Sequence, residues 1–309
     1  MLLRGALSCF VLNGLWGENY NSDSCNLAAL LGSRCETTLR TLLIYSGPVP
    51  VFSALLNYMD TPIRELPIRD RCDLAVGQAE QPYCCRDLFL MALGCDSIPG
   101  AAIFYRSWDG QTLLHAVAGA IGKLAPSGNT LFGTEETQRR MLGWGSIIQE
   151  LVAGGADLHA TFSMISPGFE RYIFGGRKEY NQATPLVSMF ASAFSGWFIM
   201  WDDFRRDIGK ATTIYITALY NSGVNLEEYG VRESMTWEPL EFHEGLIGVP
   251  RDYDYCDYYF GRRRLLSFNY GPYPEDWRIW ENEPTDEFAG DFWLMIDRKE
   301  EVMPGTWIE

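Results

Sequence analysis

Asp109-Gly110-Gln111-Thr112-Leu113-Leu114-His115 opens a segment that Leu151-Val152-Ala153-Gly154-Gly155-Ala156-Asp157-Leu158-His159-Ala160 closes. A looser copy follows, opened by Ala183-Thr184-Pro185-Leu186-Val187 and closed by Leu219-Tyr220-Asn221-Ser222-Gly223-Val224-Asn225-Leu226. Thr112 and Thr184 suit helix N-termini, where a hydroxyl accepts a backbone N–H that has no intrahelical partner. Pro185 falls at the next position, where its fixed φ fits the first turn and its missing N–H costs little. Gly155 and Gly223 supply the left-handed residue that ends a second helix and sends the chain outward.

The two copies resemble ankyrin repeats, whose helical hairpins open with T-P-L-H-x-A and close before a G-A-D or G-V-N turn. The resemblance implies a mostly α chain: a degenerate ankyrin-like stack of helical hairpins with insertions, and a Trp-rich C-terminal cap. It also implies that His115 ties its helix start to neighbouring backbone. Val187 stands where the second copy would carry that histidine, so the second network is expected to be missing or replaced. Leu113 likewise replaces the family's proline. From Thr112 to Gly155, and from Thr184 to Gly223, the span is about twice the roughly 20 residues that a 33-residue unit leaves between those landmarks. Each copy is therefore expected to hold an insertion between its helices. In the first this comprises a loop over Leu124–Thr130 and a helix over Glu135–Leu142; in the second, an aromatic run from Trp197 to Phe204. Thr161 to Ala183 reads as a long turn with Gly175-Gly176-Arg177-Lys178 at its tip.

Residues 1–100 read as an N-terminal helical region, a cap or degenerate repeats, because a hairpin cannot bury its apolar face alone. Helices are expected over Cys25–Leu31, Thr38–Tyr45 and Val51–Met59, where apolar residues recur at spacings of three and four. Arg64–Asp73 reads as a charged connection, and Cys84–Leu93 as an apolar helix closed by Gly94 in a left-handed cap. Met1 to Leu12 has a faint signal-peptide look, but its apolar run is short and reads better as a buried segment.

Residues 101–231 hold the two expanded repeats, and residues 232–309 an aromatic and acidic capping segment. In the latter, Arg264–Tyr270 is strand-like and ended by Gly271-Pro272. Pro274-Glu275-Asp276 opens a short helical turn, and Thr285 caps a further helix. Gly223-Val224-Asn225-Leu226-Glu227-Glu228-Tyr229-Gly230 and Pro284-Thr285-Asp286-Glu287-Phe288 are similar to stretches of ankyrin-containing proteins of filamentous fungi, over roughly residues 105–309.

The chain has 309 residues, 47% of them apolar, so it can bury a core. A net charge of −15 repels phosphate backbones and argues against nucleic acid as a partner. Arg262-Arg263-Arg264 is the one compact basic cluster and reads as a solvated turn. Eight cysteines include no CxxC pair, and with three histidines a knuckle-type zinc site is poorly supported. The absence of an N-x-Ser/Thr acceptor agrees with an intracellular, cytoplasmic home. No stretch approaches 18 uninterrupted apolar residues, so no membrane span is expected.

Other chemistries were weighed residue by residue. Gly119-Ala120-Ile121-Gly122-Lys123 lacks both the first glycine and the Ser/Thr of a phosphate loop. Gly143-Trp144-Gly145 has Ile148 where a dinucleotide fingerprint needs its third glycine. No G-x-S-x-G elbow anchors a nucleophile, and His243 reads as an exposed loop residue. Cys84-Cys85 reads as a pair of small buried hydrophobes, not reactive thiols. Glu275, Asp276, Trp277, Trp280, Glu281 and Glu283 mix acid with indole as a sugar-cleaving cleft does. That hydrolase reading stays as an alternative, as does a sensing part in a larger assembly.

The expectation is a non-catalytic protein-interaction scaffold, with no catalytic residues, cofactor or metal and a protein partner bearing a basic surface. Turn tips are the variable surface of such stacks. The contact residues expected there are Trp108, Asp109, Gly110, Asp157, His159, Arg171, Tyr172 and Arg177.

Overall fold

In the computed structural model, the chain is described over residues 61–81, 84–165, 179–193, 201–237, 240–243 and 262–281. The expected helices before residue 61, the Trp197 run up to residue 200, the Gly175–Lys178 tip and the Thr285 helix lie outside the described residues, while Trp201–Phe204 of that run opens a long helix.

The described chain is mostly helical. A 3-10 turn, Ile63–Glu65, precedes helix α1 (Ile68–Ala79), followed by α2 (Arg86–Leu93) and the one-turn α3 (Gly100–Ile103). The charged stretch expected as a connection is therefore largely the first half of α1. Its charges occupy the opening turns, while Cys72, Leu74, Ala75, Val76 and Ala79 are buried. Arg71 donates from Nη1 to the carbonyl of Leu93, at the end of α2, at 3.0 Å. That placement of a cation on the final carbonyls complements the helix dipole. Gly94 closes α2 at φ 66°, as its sequence position implies.

Two 20-residue helices follow, α4 (Leu113–Phe132) and α5 (Thr134–Ala153). The expected loop over Leu124–Thr130 is instead helix, and the break falls at Gly133 with φ 77°. A proline inside a helix costs about 3 kcal/mol through its absent N–H and a clash with the carbonyl four residues back. Burial outweighs it here: Leu113, Leu114, Val117, Ala118, Ile121, Leu124 and Ala125 leave α4 buried almost all round before Pro126. The extra residues of the first copy thus lengthen both helices and do not interrupt them.

After Gly155 (φ 90°) the chain makes a turn at residues 158–159 and enters β1 (Phe162–Ile165), which pairs antiparallel with β2 (Glu179–Ala183). The expected long turn is thus a hairpin base, with Met164 opposite Tyr180. Helices α6 (Pro185–Ala193), α7 (Trp201–Asn221) and α8 (Leu226–Thr236) complete the helical part, with Gly223 at φ 81° before α8.

α4 is the central element and packs against α1, α5, α6 and α7. Its contact with α6 is made by glycines. A Cβ added at Gly122 would sit 1.9 Å from the carbonyl oxygen of Met189, and one at Gly119 would sit 2.9 Å from Oγ of Ser192. The Gly-Ala-Ile-Gly-Lys run is therefore a helix-packing seam. Lys123, which follows it, donates from Nζ to the carbonyl of Glu80 at 2.8 Å and so caps α1.

The C-terminal part is a three-stranded antiparallel sheet in the order β3 (Leu240–His243), β4 (Arg262–Asn269), β5 (Arg278–Glu281). The strand reading around Arg264–Tyr270 holds, but Arg262-Arg263-Arg264 is strand, not turn, and His243 pairs with Arg262, not in a loop. Long-range pairing overrides a charged run's preference for solvent. The 3-10 turn Pro274–Asp276 joins β4 to β5, and Trp280 lies on β5. Aromatic rings join sheet to helices. Trp237 meets Phe190 and Phe268 edge-on at 5.8 and 5.0 Å, and Phe268 stacks on Trp277 at 5.5 Å. Gly230 of α8 lets the ring of Tyr270 come close.

Candidate functional site

Two turns lie side by side at one edge. The first, Ser107–Gln111, is closed by a backbone bond from Ser107 N–H to the carbonyl of Gln111 at 2.9 Å. Asp109 Oδ1 accepts from the Ser107 hydroxyl and from the Gln111 N–H, and Gly110 takes φ 92°. Asp109 and Gly110 build the turn, and the side chain it presents is Trp108, 91% exposed. Gly110 abuts Phe162, so this turn rests against the chain entering β1. Arg106 reaches Asp157 of the second turn at 3.6 Å, and Asp157 Oδ1 also accepts the His159 N–H at 3.1 Å.

Each turn is held from behind by a buried brace. In the first, Nδ1 of His115 accepts from the Thr112 N–H at 3.1 Å and from the Thr112 hydroxyl at 2.8 Å. The ring proton therefore sits on Nε2, which donates to the carbonyl of Ala183 at 3.1 Å. This spans from the start of α4 to the last residue of β2, two residues before α6. Burial pushes the His115 pKa down to about 4, so the ring is neutral near pH 7.

The second copy has no such histidine, and Glu233 of α8, 1% exposed, takes its place. Its Oε2 accepts from the Thr184 hydroxyl at 2.7 Å, while that hydroxyl accepts from the Val187 N–H at 3.3 Å. Its Oε1 lies 3.1 Å from Nδ1 of His159. The Tyr229 hydroxyl lies 3.3 Å from that of Tyr215. Burial raises the pKa of both tyrosines, which stay protonated donors. A buried carboxylate is tolerable only with such donors around it.

Of the expected contact residues, Trp108, Asp109, Gly110, Asp157 and His159 are thus brought together, but in different roles. Trp108 is displayed and Asp157 half-exposed, whereas His159 turns its Nδ1 inward to Glu233. Arg171, Tyr172 and Arg177 lie outside the described residues. Sequence reading passed over Glu233 and Arg106. The signal for Glu233 was present: a buried Thr184 without a histidine needs an acceptor, and Tyr229 and Glu233 share one helix face at a spacing of four.

Within the acidic aromatic segment Trp277 packs inward, whereas Glu275, Asp276 and Trp280 are exposed. Trp277 is buried and donates from Nε1 to the carbonyl of Gly271 at 3.3 Å. Asp276 Oδ2 accepts from the Tyr273 N–H at 3.1 Å. Cys84 is buried with its thiol pKa raised well above the usual range, and burial raises that of Cys72 to about 12. Among the described residues no cluster of three or more potential metal ligands occurs, and no helix is long and apolar enough to cross a membrane.

Compared with known proteins, the chain matches no family model, no curated relative and no solved structure.

Proposed function

We propose that this chain is a non-catalytic protein-interaction scaffold of the ankyrin-repeat type, an expanded stack of helical hairpins whose turn edge carries the contacts. The observation that carries this reading is Trp108, 91% exposed on a turn locked by its own hydrogen bonds. A tryptophan costs little side-chain entropy when captured, and Trp and Arg dominate the energetics of protein interfaces. Held on a rigid turn beside Arg106, it is an anchor already ordered for binding. The Thr112–His115 brace supports the stacked-hairpin part of the reading, since it joins the starts of successive helical pairs. The net charge of −15 favours a partner with a basic surface and an association weakened by salt.

The test is site-specific photocrosslinking in extract of the source cells. The crosslinker is placed at position 108 and, as a control, at Leu142, which is exposed on α5. A protein captured from position 108 and not from 142 supports the reading. Equal capture from both positions means the turn edge is not the face. Capture from neither rejects the scaffold.

A further inference from the structure

Beside the Trp108 turn lies an open cleft of about 200 Å³ between α1 and the segment that follows α3. Ile68 and the buried Cys72 line its apolar side, Phe104 and Tyr105 form an aromatic wall, and Arg69 and Arg106 flank it. Its size is below the 300 Å³ or more of a typical cofactor or drug-sized pocket, and suits one side chain. Phe104 is 75% exposed on the wall, so part of that ring awaits cover.

The charges point to the occupant. The protein carries a net −15, yet this cleft gathers two guanidiniums. Arg69 is exposed and makes no ion pair or side-chain hydrogen bond among the described residues. Arg106 is half-exposed and held only by Asp157, at 3.6 Å. Asp73, one turn beyond Arg69 on α1, is already engaged by the Tyr105 hydroxyl. Because a salt solution screens beyond roughly 8 Å, the local pair and not the distant net charge governs what enters.

We propose that the cleft receives an acidic segment of the protein partner: an aromatic or aliphatic side chain seated against Phe104 and Ile68, with a flanking carboxylate between Arg69 and Arg106. The nature of this occupant rests on the scaffold reading, whereas the cleft's chemistry does not. Guanidiniums pair with carboxylates in planar, two-point geometry, and the apolar seat adds the desolvated contact that an exposed ion pair lacks. The cleft adjoins Trp108, so one segment can engage both while the rest of the partner answers the acidic surface.

The experiment is an amide-resolved NMR titration of the full chain with acetyl-Asp-Phe-Asp-amide. Acetyl-Asn-Phe-Asn-amide and inorganic phosphate serve as comparison probes. The acidic peptide is expected to move the amides of residues 68–72 and 101–106 and to saturate. Arg69→Gln and Arg106→Gln should each weaken it about two- to fivefold, the range an exposed ion pair gives. Asp157→Asn, which frees Arg106, should tighten it by a similar factor. Equal binding of the Asn peptide, the same shifts from phosphate alone, or no shift at these residues would each overturn the proposal. Because no cellular partner is needed, a failed crosslink at position 108 with successful peptide binding would reject the scaffold face and leave the cleft.

Discussion

Replacing one hydrogen by a methyl group at two helical glycines should have opposite effects, and the contrast tests the α4–α6 seam. At Gly209, on the exposed side of α7, an added Cβ meets nothing within 4 Å. Gly209→Ala should therefore stabilise by the helix-propensity difference, about 0.8–1 kcal/mol. Gly122→Ala gains the same propensity term, but its Cβ would lie 1.9 Å from the Met189 carbonyl oxygen and 3.2 Å from the Ala193 nitrogen. Both are backbone atoms of α6 and cannot rotate away. The helices would have to part by about 1 Å just to reach 3.0 Å, a distance below which Cβ contacts essentially never occur. Forcing a methyl into a packed interior costs about 1–3 kcal/mol, and rigid backbone on the receiving side puts this case at the upper end. The net expectation is a loss of about 2 kcal/mol, so the two variants should differ by about 3 kcal/mol. Urea unfolding measures both, and in a chain of this size the Gly122 variant should melt roughly 3 °C lower than the parent. Were Gly122→Ala as stable as Gly209→Ala, α4 and α6 would not meet in this register.

Further outcomes follow from the braces and the thiols. His115 has a pKa of about 4 when folded and an ordinary value near 6.5 when unfolded, so the unfolded chain takes up its proton first as pH falls. Its contribution to stability is complete above pH 6.5 and is lost towards pH 4, by about 3 kcal/mol. An NMR titration of the His115 ring with a midpoint near 6.5 in the folded protein would contradict this. Glu233→Ala leaves the buried Thr184 hydroxyl without its acceptor and should cost about 1–3 kcal/mol. A loss below 1 kcal/mol in urea unfolding would mean water replaces the carboxylate. Trp108→Ala should leave the unfolding midpoint within about 0.5 kcal/mol of the parent, because the ring is exposed. Iodoacetamide at pH 8, read by peptide mass spectrometry, should label Cys85 and Cys95 ahead of the buried Cys72 and Cys84. Equal labelling of all four would refute that order.

Local chemistry was legible wherever a residue type has a short-range reason to be where it is. Thr112 and Thr184 begin helices because a hydroxyl there answers orphan N–H groups. Gly94, Gly155 and Gly223 end them because each adopts a positive φ that a side chain opposes. The displayed Trp108 follows from its place on a turn. What escaped was set by contacts between distant parts of the chain. Pro126 and Gly128 carry every local sign of a loop, yet α4 continues through them because its preceding turns are buried against four other helices. Arg262-Arg263-Arg264 is strand because β3 lies beside it. Glu233 looks like one more surface acid until Thr184 and His159, brought from two other places in the chain, converge on its two oxygens. The cleft at Arg69 and Arg106 has no sequence motif at all, since its walls meet only when α1 packs beside the segment after α3. Caps and turns are decided over three or four residues, where sequence alone has the needed terms. Helix length, strand pairing and buried charge depend on which surfaces lose their water together, and that is a property of the assembled fold.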